Sequence, residues 1–155
     1  MKQIKVVIPG PIKFDFVKQG LDYYEKRISK FVNCQVLTPK AKVSFTSVEE
    51  KLKKEAEILK RYLKKGEYLV VLDERGKFMK SKEFAKFLDK LLGSTKGITF
   101  LIGGAEGICN DLKSQADQLL SLSPFTLNHE IASLVLVEAI YRGILISKNH
   151  PYHRE

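Results

Sequence analysis

Two cysteines are all that this 155-residue chain contains. Cys34 and Cys109 make neither a disulfide framework nor a metal-ligand motif, and their apolar neighbours suit small core thiols. A reducing, cytoplasmic setting is the expectation that follows. No run of about 18 apolar residues occurs, so the sequence offers no membrane-spanning helix. The opening MKQIKVVIPG holds an apolar stretch too short for a secretory signal. The G-x-G-x-x-G dinucleotide fingerprint and the G-x-x-x-x-G-K-[ST] phosphate loop are both missing, which removes the specific support for those two ligand classes. A nucleophile elbow, an internal repeat, a low-complexity tract and a linker are missing too. What is left is an ordinary globular composition, 44% hydrophobic and 29% charged, expected to form one domain over 1–155.

The charge that is present is lopsided. Residues 1–66 hold sixteen Lys/Arg against seven Asp/Glu, which is the whole of the +9 net charge. A basic face suits a polyanionic partner, most simply nucleic acid. Lysine-rich solvated helices would give the same count.

Apolar patterning predicts alternating strands and helices. Strands are expected at Ile4–Ile8, Cys34–Leu37, Tyr68–Leu72 (as a sheet centre), Ile98–Ile102 and Leu120–Leu122. Helices are expected at about Phe14–Ser29, from a Ser47/Glu50 capping box to about Lys65, at Ser81–Leu92, at Asp111–Leu119, and at His129–Ser147 behind an Asn128 cap. That order implies an α/β fold, a mostly parallel sheet with helices on both faces.

Three strand-end loops draw attention, because ligands of parallel sheets sit at the carboxyl ends of strands. The first is Gly103-Gly104-Ala105-Glu106-Gly107, where glycines permit a sharp bend and close approach of a ligand to the backbone. A tight turn without a ligand is the alternative. The second is Leu72–Lys77, otherwise a charged surface turn. The third is Ser121–Leu127, which Pro124 keeps extended at Ser123. Together they could surround one pocket. In the last helix Glu138 and Arg142 stand four apart on a face shared with Ile131, Leu134, Val135 and Leu145, either core or a subunit interface. The tail carries His150, Tyr152, His153 and Arg154, and His129 follows the third loop. No Cys or Asp/Glu spacing makes a metal site of the histidines. The tail is either solvated or folded over a pocket, where Arg suits phosphate and His or Tyr suits proton transfer.

LDERGK, LIGGAEG, SLSPFTLNHE, LVLVEAIYR and the terminal NHPYHRE, in that order, resemble the RlmH-type ribosomal RNA methyltransferases of the knotted SPOUT superfamily, along the whole chain. The resemblance implies a C-terminal trefoil knot, an S-adenosylmethionine pocket formed by it, and a homodimer with the active site at the subunit interface. It implies methylation of N3 of a pseudouridine in the helix-69 loop of 23S rRNA on the assembled ribosome. By position it assigns the cofactor to Leu72, Gly103, Gly104, Leu122, Ser123, Pro124, Phe125, Thr126 and Leu127. It assigns RNA contact and catalysis to His129, Arg142, Tyr152, His153 and Arg154. Two positions depart from the family pattern: Ser133 stands where relatives can carry Arg, and Asn128 where Pro occurs. A non-catalytic ribosome- or RNA-binding protein, and a hydrolase on a flavodoxin-like sheet, are the readings it competes with.

Overall fold

The computed structural model describes residues 2–149. Its elements, in chain order, are β1 (Gln3–Val7), α1 (Asp15–Ile28), β2 (Asn33–Leu37), α2 (Val48–Lys60), β3 (Tyr68–Phe78), α3 (Ser81–Ser94), β4 (Gly97–Leu101), α4 (Asn110–Lys113), β5 (Gln118–Ser121) and α5 (His129–Ser147). The five strands form one sheet in the order β2-β1-β4-β3-β5, every pair parallel.

The strands are apolar on both faces because both faces are covered. Ile4, Val6, Val70, Ile98, Phe100 and Leu120 point toward α1, α3 and α5, with Val17, Leu21, Leu88, Val137 and Ile140. Their neighbours Val7, Leu69, Val71 and Leu101 point the other way, onto Ala56 and Leu59 of α2 and Leu112 of α4. The period of two along each strand therefore sorts the chain into three layers. Ser47 caps α2, its Oγ accepting from the Glu50 N–H at 3.1 Å, and Asn128 caps α5, its Oδ1 accepting from Glu130 N–H at 2.9 Å. Both caps were legible in the sequence. Cys34 is buried and Cys109 half-buried, both free thiols, and burial together with Glu25 pushes the Cys34 thiol up to about 12.

Several boundaries differ from expectation, each for a local reason. The sheet centre is β4, with β3 between it and β5. Helix α2 stops at Lys60 rather than Lys65: the N–H groups of Arg61, Tyr62 and Leu63 turn to carbonyls three residues back, and beyond them the Tyr62 carbonyl is taken at 2.6 Å by the buried Lys5 ammonium. Helix α3 continues through Gly93 to Ser94. Helix α4 has four residues instead of running to Leu119. There Asp117 is captured by β3: its N–H donates to the Leu69 carbonyl at 2.8 Å and its carboxylate accepts from Leu69 N–H at 2.8 Å, which starts β5 early.

The segment read as a second strand-end loop lies within β3. Leu72 and Lys77 both pair with Leu120, so Asp73–Gly76 bulge out while the strand resumes beyond them. Gly76 closes that bulge against the Leu119–Leu120 backbone, where a Cβ would stand 2.5 Å from the main chain.

Candidate functional site

The bulge within β3 and the carboxyl ends of β4 and β5 open into one cleft of about 630 Å³. Leu72 to Arg75 of the β3 bulge form one wall. Ile102, Gly103, Gly104, Ala105 and Gly107 form another, and Leu122, Ser123, Phe125, Thr126 and Leu127 a third. His129 and Ala132, in the first turn of α5, close the rim. All three loops singled out in the sequence thus meet at one place. Pro124 is exposed and does not line the cleft.

The glycine loop has the shape that its residues dictate. The Gly107 N–H donates to the Gly104 carbonyl at 3.0 Å, and Gly107 takes a φ of 86°, left-handed backbone that suits glycine. The folded-back turn presses on Gly103, where a Cβ would lie 2.4 Å from the Gly107 carbonyl oxygen. This narrow turn brings Gly103, Gly104 and Gly107 to the lining of the cleft.

The cleft's electrostatics come from a few side chains. Asp73 is held by Lys113 at 2.8 Å and accepts the Arg75 N–H at 2.9 Å. Burial pushes its carboxyl up, but Lys113 and Arg75 outweigh it and hold the group below the usual carboxylate range. His129 is half-buried, and that burial lowers its pKa. The adjacent Glu130 works against the lowering, while Lys13 and Lys51 add to it. The neutral imidazole is therefore favoured, the form able to accept a proton.

Sequence reasoning missed Glu55. Its side chain, 6% exposed, lies under the glycine loop, and a Cβ at Gly104 would meet its carboxylate at 3.4 Å. That carboxylate makes no hydrogen bond or ion pair among the described residues, and burial raises its pKa despite Lys51 nearby. Its position in an amphipathic helix gave no sign of this. Glu130 was missed as well. Buried at the start of α5, it accepts the N–H groups of Lys13 and Phe14 at 2.8 and 3.0 Å and ties the entry of α1 to the His129 turn.

Arg142 lies outside the main cleft. With Glu138, at 3.1 Å, it lines a smaller one of about 220 Å³ that shares Leu120, Ser121 and Leu122 with the first. The α5 face left open between core and interface divides: Leu145 is buried, Ile131 and Leu134 are half-buried, and Val135 is exposed. Ser133 is fully buried, its hydroxyl donating to the Glu130 carbonyl at 2.6 Å, so it makes no substitute for an arginine aimed at substrate. Tyr152, His153 and Arg154 lie outside the described residues. Among the described residues no group of His, Cys, Asp and Glu could hold a metal ion, and no helix is long and apolar enough to cross a membrane.

Residues 1–153 match the family described as "Predicted SPOUT methyltransferase". The chain is similar to the protein named Ribosomal RNA large subunit methyltransferase H of Dictyoglomus thermophilum, 40% identical over 154 residues, covering 97% of this chain and 98% of that one. The same-named proteins of Acetivibrio thermocellus and Thermotoga neapolitana are 39% and 36% identical, covering 98% and 97% of this chain and 99% of each of those. An open parallel sheet with a late glycine loop at the mouth of its cleft thus has a family that accounts for it: the chain belongs to the SPOUT methyltransferases, and that membership implies a methyl donor.

Proposed function

We propose that the cleft binds S-adenosylmethionine and that the chain transfers its methyl group to large-subunit ribosomal RNA, at N3 of a pseudouridine in the helix-69 loop of the assembled ribosome's 23S rRNA. One observation carries this reading: a bulge within β3 and two strand-end loops, far apart in sequence, line a single cleft, with a histidine biased toward its neutral form at the rim. The relatives' shared name supports the RNA class of substrate. The cleft's volume suits a small-molecule site. Leu72, Ile102, Leu122 and Leu127 offer apolar cover for a flat base, and the turn at Gly103 and Gly104 offers backbone donors and acceptors. Phe125, 79% exposed, stands at the mouth beside Ser123 and Thr126.

When bound, the cofactor supplies a methyl group already activated on a sulfonium. The chain's own task is to hold the acceptor nitrogen in line and remove its proton. Alignment of this kind can contribute up to about 7–11 kcal/mol. His129 or His153 takes the proton of the imide N3–H. Arg154 stabilises the charge that develops, or grips a phosphate, and Tyr152 and Arg142 hold RNA.

The chain acts as a homodimer in this reading. Phe14 and Phe16 stack at 5.2 Å on the surface, 41% and 56% exposed, near the start of α1. A second copy seated on α1 and α5 would cover them and Val135. We infer with it a threaded C-terminal knot, consistent with β5 lying beyond β3 rather than beside β4.

Mass spectrometry of ribosomal RNA after incubation of ribosomes with isotopically labelled methyl donor tests the whole reading. Label on a helix-69 pseudouridine is expected, and its absence from large-subunit RNA sinks the proposal. Removing the last four residues should abolish transfer while cofactor binding persists. A thermal shift with S-adenosylmethionine, and none with ATP, separates this reading from an inert RNA binder, since ligand at about 100 times Kd adds roughly 2.7 kcal/mol.

A further inference from the structure

The connection from β2 to α2 carries an aromatic ring that its surroundings hold in the open. Phe45 is 49% exposed, yet both of its neighbours are fixed. On one side the Lys54 ammonium donates to the Ser44 carbonyl. On the other, Thr46 donates its N–H and its hydroxyl to the Glu50 carboxylate, at 3.2 and 2.6 Å. Lys54 closes the clamp on Glu50 at 2.8 Å. Hydrogen bonds from Lys54 and Thr46 hold the Glu50 carboxyl at about 2, so the clamp stays charged at any pH where RNA is handled.

A cation sits over the ring. The Lys51 Nζ lies 5.3 Å from the centroid of Phe45. This pair stands near the cleft rather than remote from it: on α2 Lys51 lies one turn before Glu55, whose carboxylate sits beneath the glycine loop at Gly104. Lys40 and Lys42 are exposed on the same connection and make no ion pair among the described residues. An exposed aromatic normally adds nothing to a fold. One whose chain neighbours are pinned, topped by a lysine and preceded on the same connection by two more exposed lysines, has the chemistry of a surface for single-stranded nucleic acid, where bases stack on rings and phosphates meet ammonium groups.

We propose that Phe45 and Lys51 form a stacking platform for an unpaired nucleotide of the RNA substrate, with Lys40 and Lys42 holding the phosphates that flank it. This rests on the RNA-methyltransferase reading and adds to it a substrate subsite outside the cofactor cleft. It also gives the basic first 66 residues a located task. The platform favours an RNA loop over a duplex, whose bases are already stacked.

The full chain and its Phe45→Ala, Phe45→Tyr and Lys51→Ala variants would be titrated against a labelled short single-stranded RNA and against the same strand in a duplex. Binding of S-adenosylmethionine and methyl transfer to ribosomes would be measured in parallel. Phe45→Ala is expected to weaken single-strand binding about tenfold, the size of a lost base stack. Duplex and cofactor binding should be unchanged, KM for ribosomes should rise more than kcat falls, and Phe45→Tyr should restore both. Lys51→Ala should reduce the salt slope of single-strand binding by about 0.7. Equal loss on duplex and single strand overturns the platform, as does wild-type behaviour of Phe45→Ala. A raised KM for ribosomes with unchanged RNA binding also overturns it, and assigns the ring to a ribosomal protein instead. If the wild-type chain methylates ribosomes and Phe45→Ala does so with the same KM, the platform alone falls. If the wild-type chain transfers no methyl group, the enzymatic reading fails first and the platform with it.

Discussion

The two ends of the sheet treat a largely covered carboxylate in opposite ways. At the amino end, Glu67 is paired with the buried Lys5 at 2.9 Å and receives the Thr99 hydroxyl at 3.1 Å. Lys5 is further bound by the Tyr62 carbonyl. Each charge in that network has partners. At the carboxyl end, Glu55 lies buried under the glycine loop with no hydrogen bond or ion pair among the described residues, and beside it the three loops gape. One end is finished as structure; the other keeps polar groups in reserve. In physical terms, stability is concentrated where the network is satisfied, and chemistry where it is not.

Breaking the finished end should have the largest effect. Lys5→Ala leaves the largely covered Glu67 carboxylate, 10% exposed, without its cation, and about 3 kcal/mol of stability should be lost in chemical denaturation. If the variant unfolds at the wild-type denaturant midpoint, the amino-end network is not holding the sheet. His129→Gln attacks the other end. Methyl transfer should fall on the order of a hundredfold or more while cofactor affinity and the unfolding midpoint stay put. Because burial lowers the His129 pKa, the neutral imidazole persists below the ordinary value of 6.5, and the acid limb of the wild-type rate profile should lie below that pH. An acid limb above pH 6.5 would argue against His129 as the proton acceptor.

Gly103→Ala should act on the cofactor alone. Its Cβ would collide with the Gly107 carbonyl, and the displaced turn should weaken S-adenosylmethionine binding about tenfold, one lost hydrogen bond's worth, as titration calorimetry can show. The smallest effect is expected at Glu55. Its pKa is raised in the fold, so the stability it lends is complete below its ordinary 4.5 and drains away as pH rises above that. Glu55→Gln should remove this drain: its stability advantage over the wild-type chain should grow between pH 4.5 and neutrality. An advantage that stays flat across that range would mean that the carboxylate finds a partner in solution.

Much of this was legible in the sequence, and what was not has identifiable causes. The strands announced themselves because continuous apolar runs such as Leu69-Val70-Val71 fit a sheet covered on both faces. The caps at Ser47 and Asn128 and the three cleft loops followed from short-range chemistry. Helix ends were misjudged where a distant group intervened, Lys5 at Tyr62 and Leu69 at Asp117, since neither contact leaves a trace in local periodicity. Glu55 and Glu130 were invisible for the same reason. Each looks like a surface acid until tertiary packing covers it. Arg142 was grouped with His129 by resemblance, whereas the helix places it one cleft away.

The β3 bulge has a consequence for how this cleft can vary. Leu72 and Lys77 meet the same partner, Leu120, so the strand leaves the sheet and returns at the place it left. Registration before and after the excursion is independent of how many residues the excursion holds. One wall of the cleft is thereby uncoupled from its floor: the excursion can lengthen or shorten without shifting a strand, provided that the Asp73–Lys113 pair and the close-packed Gly76 are kept.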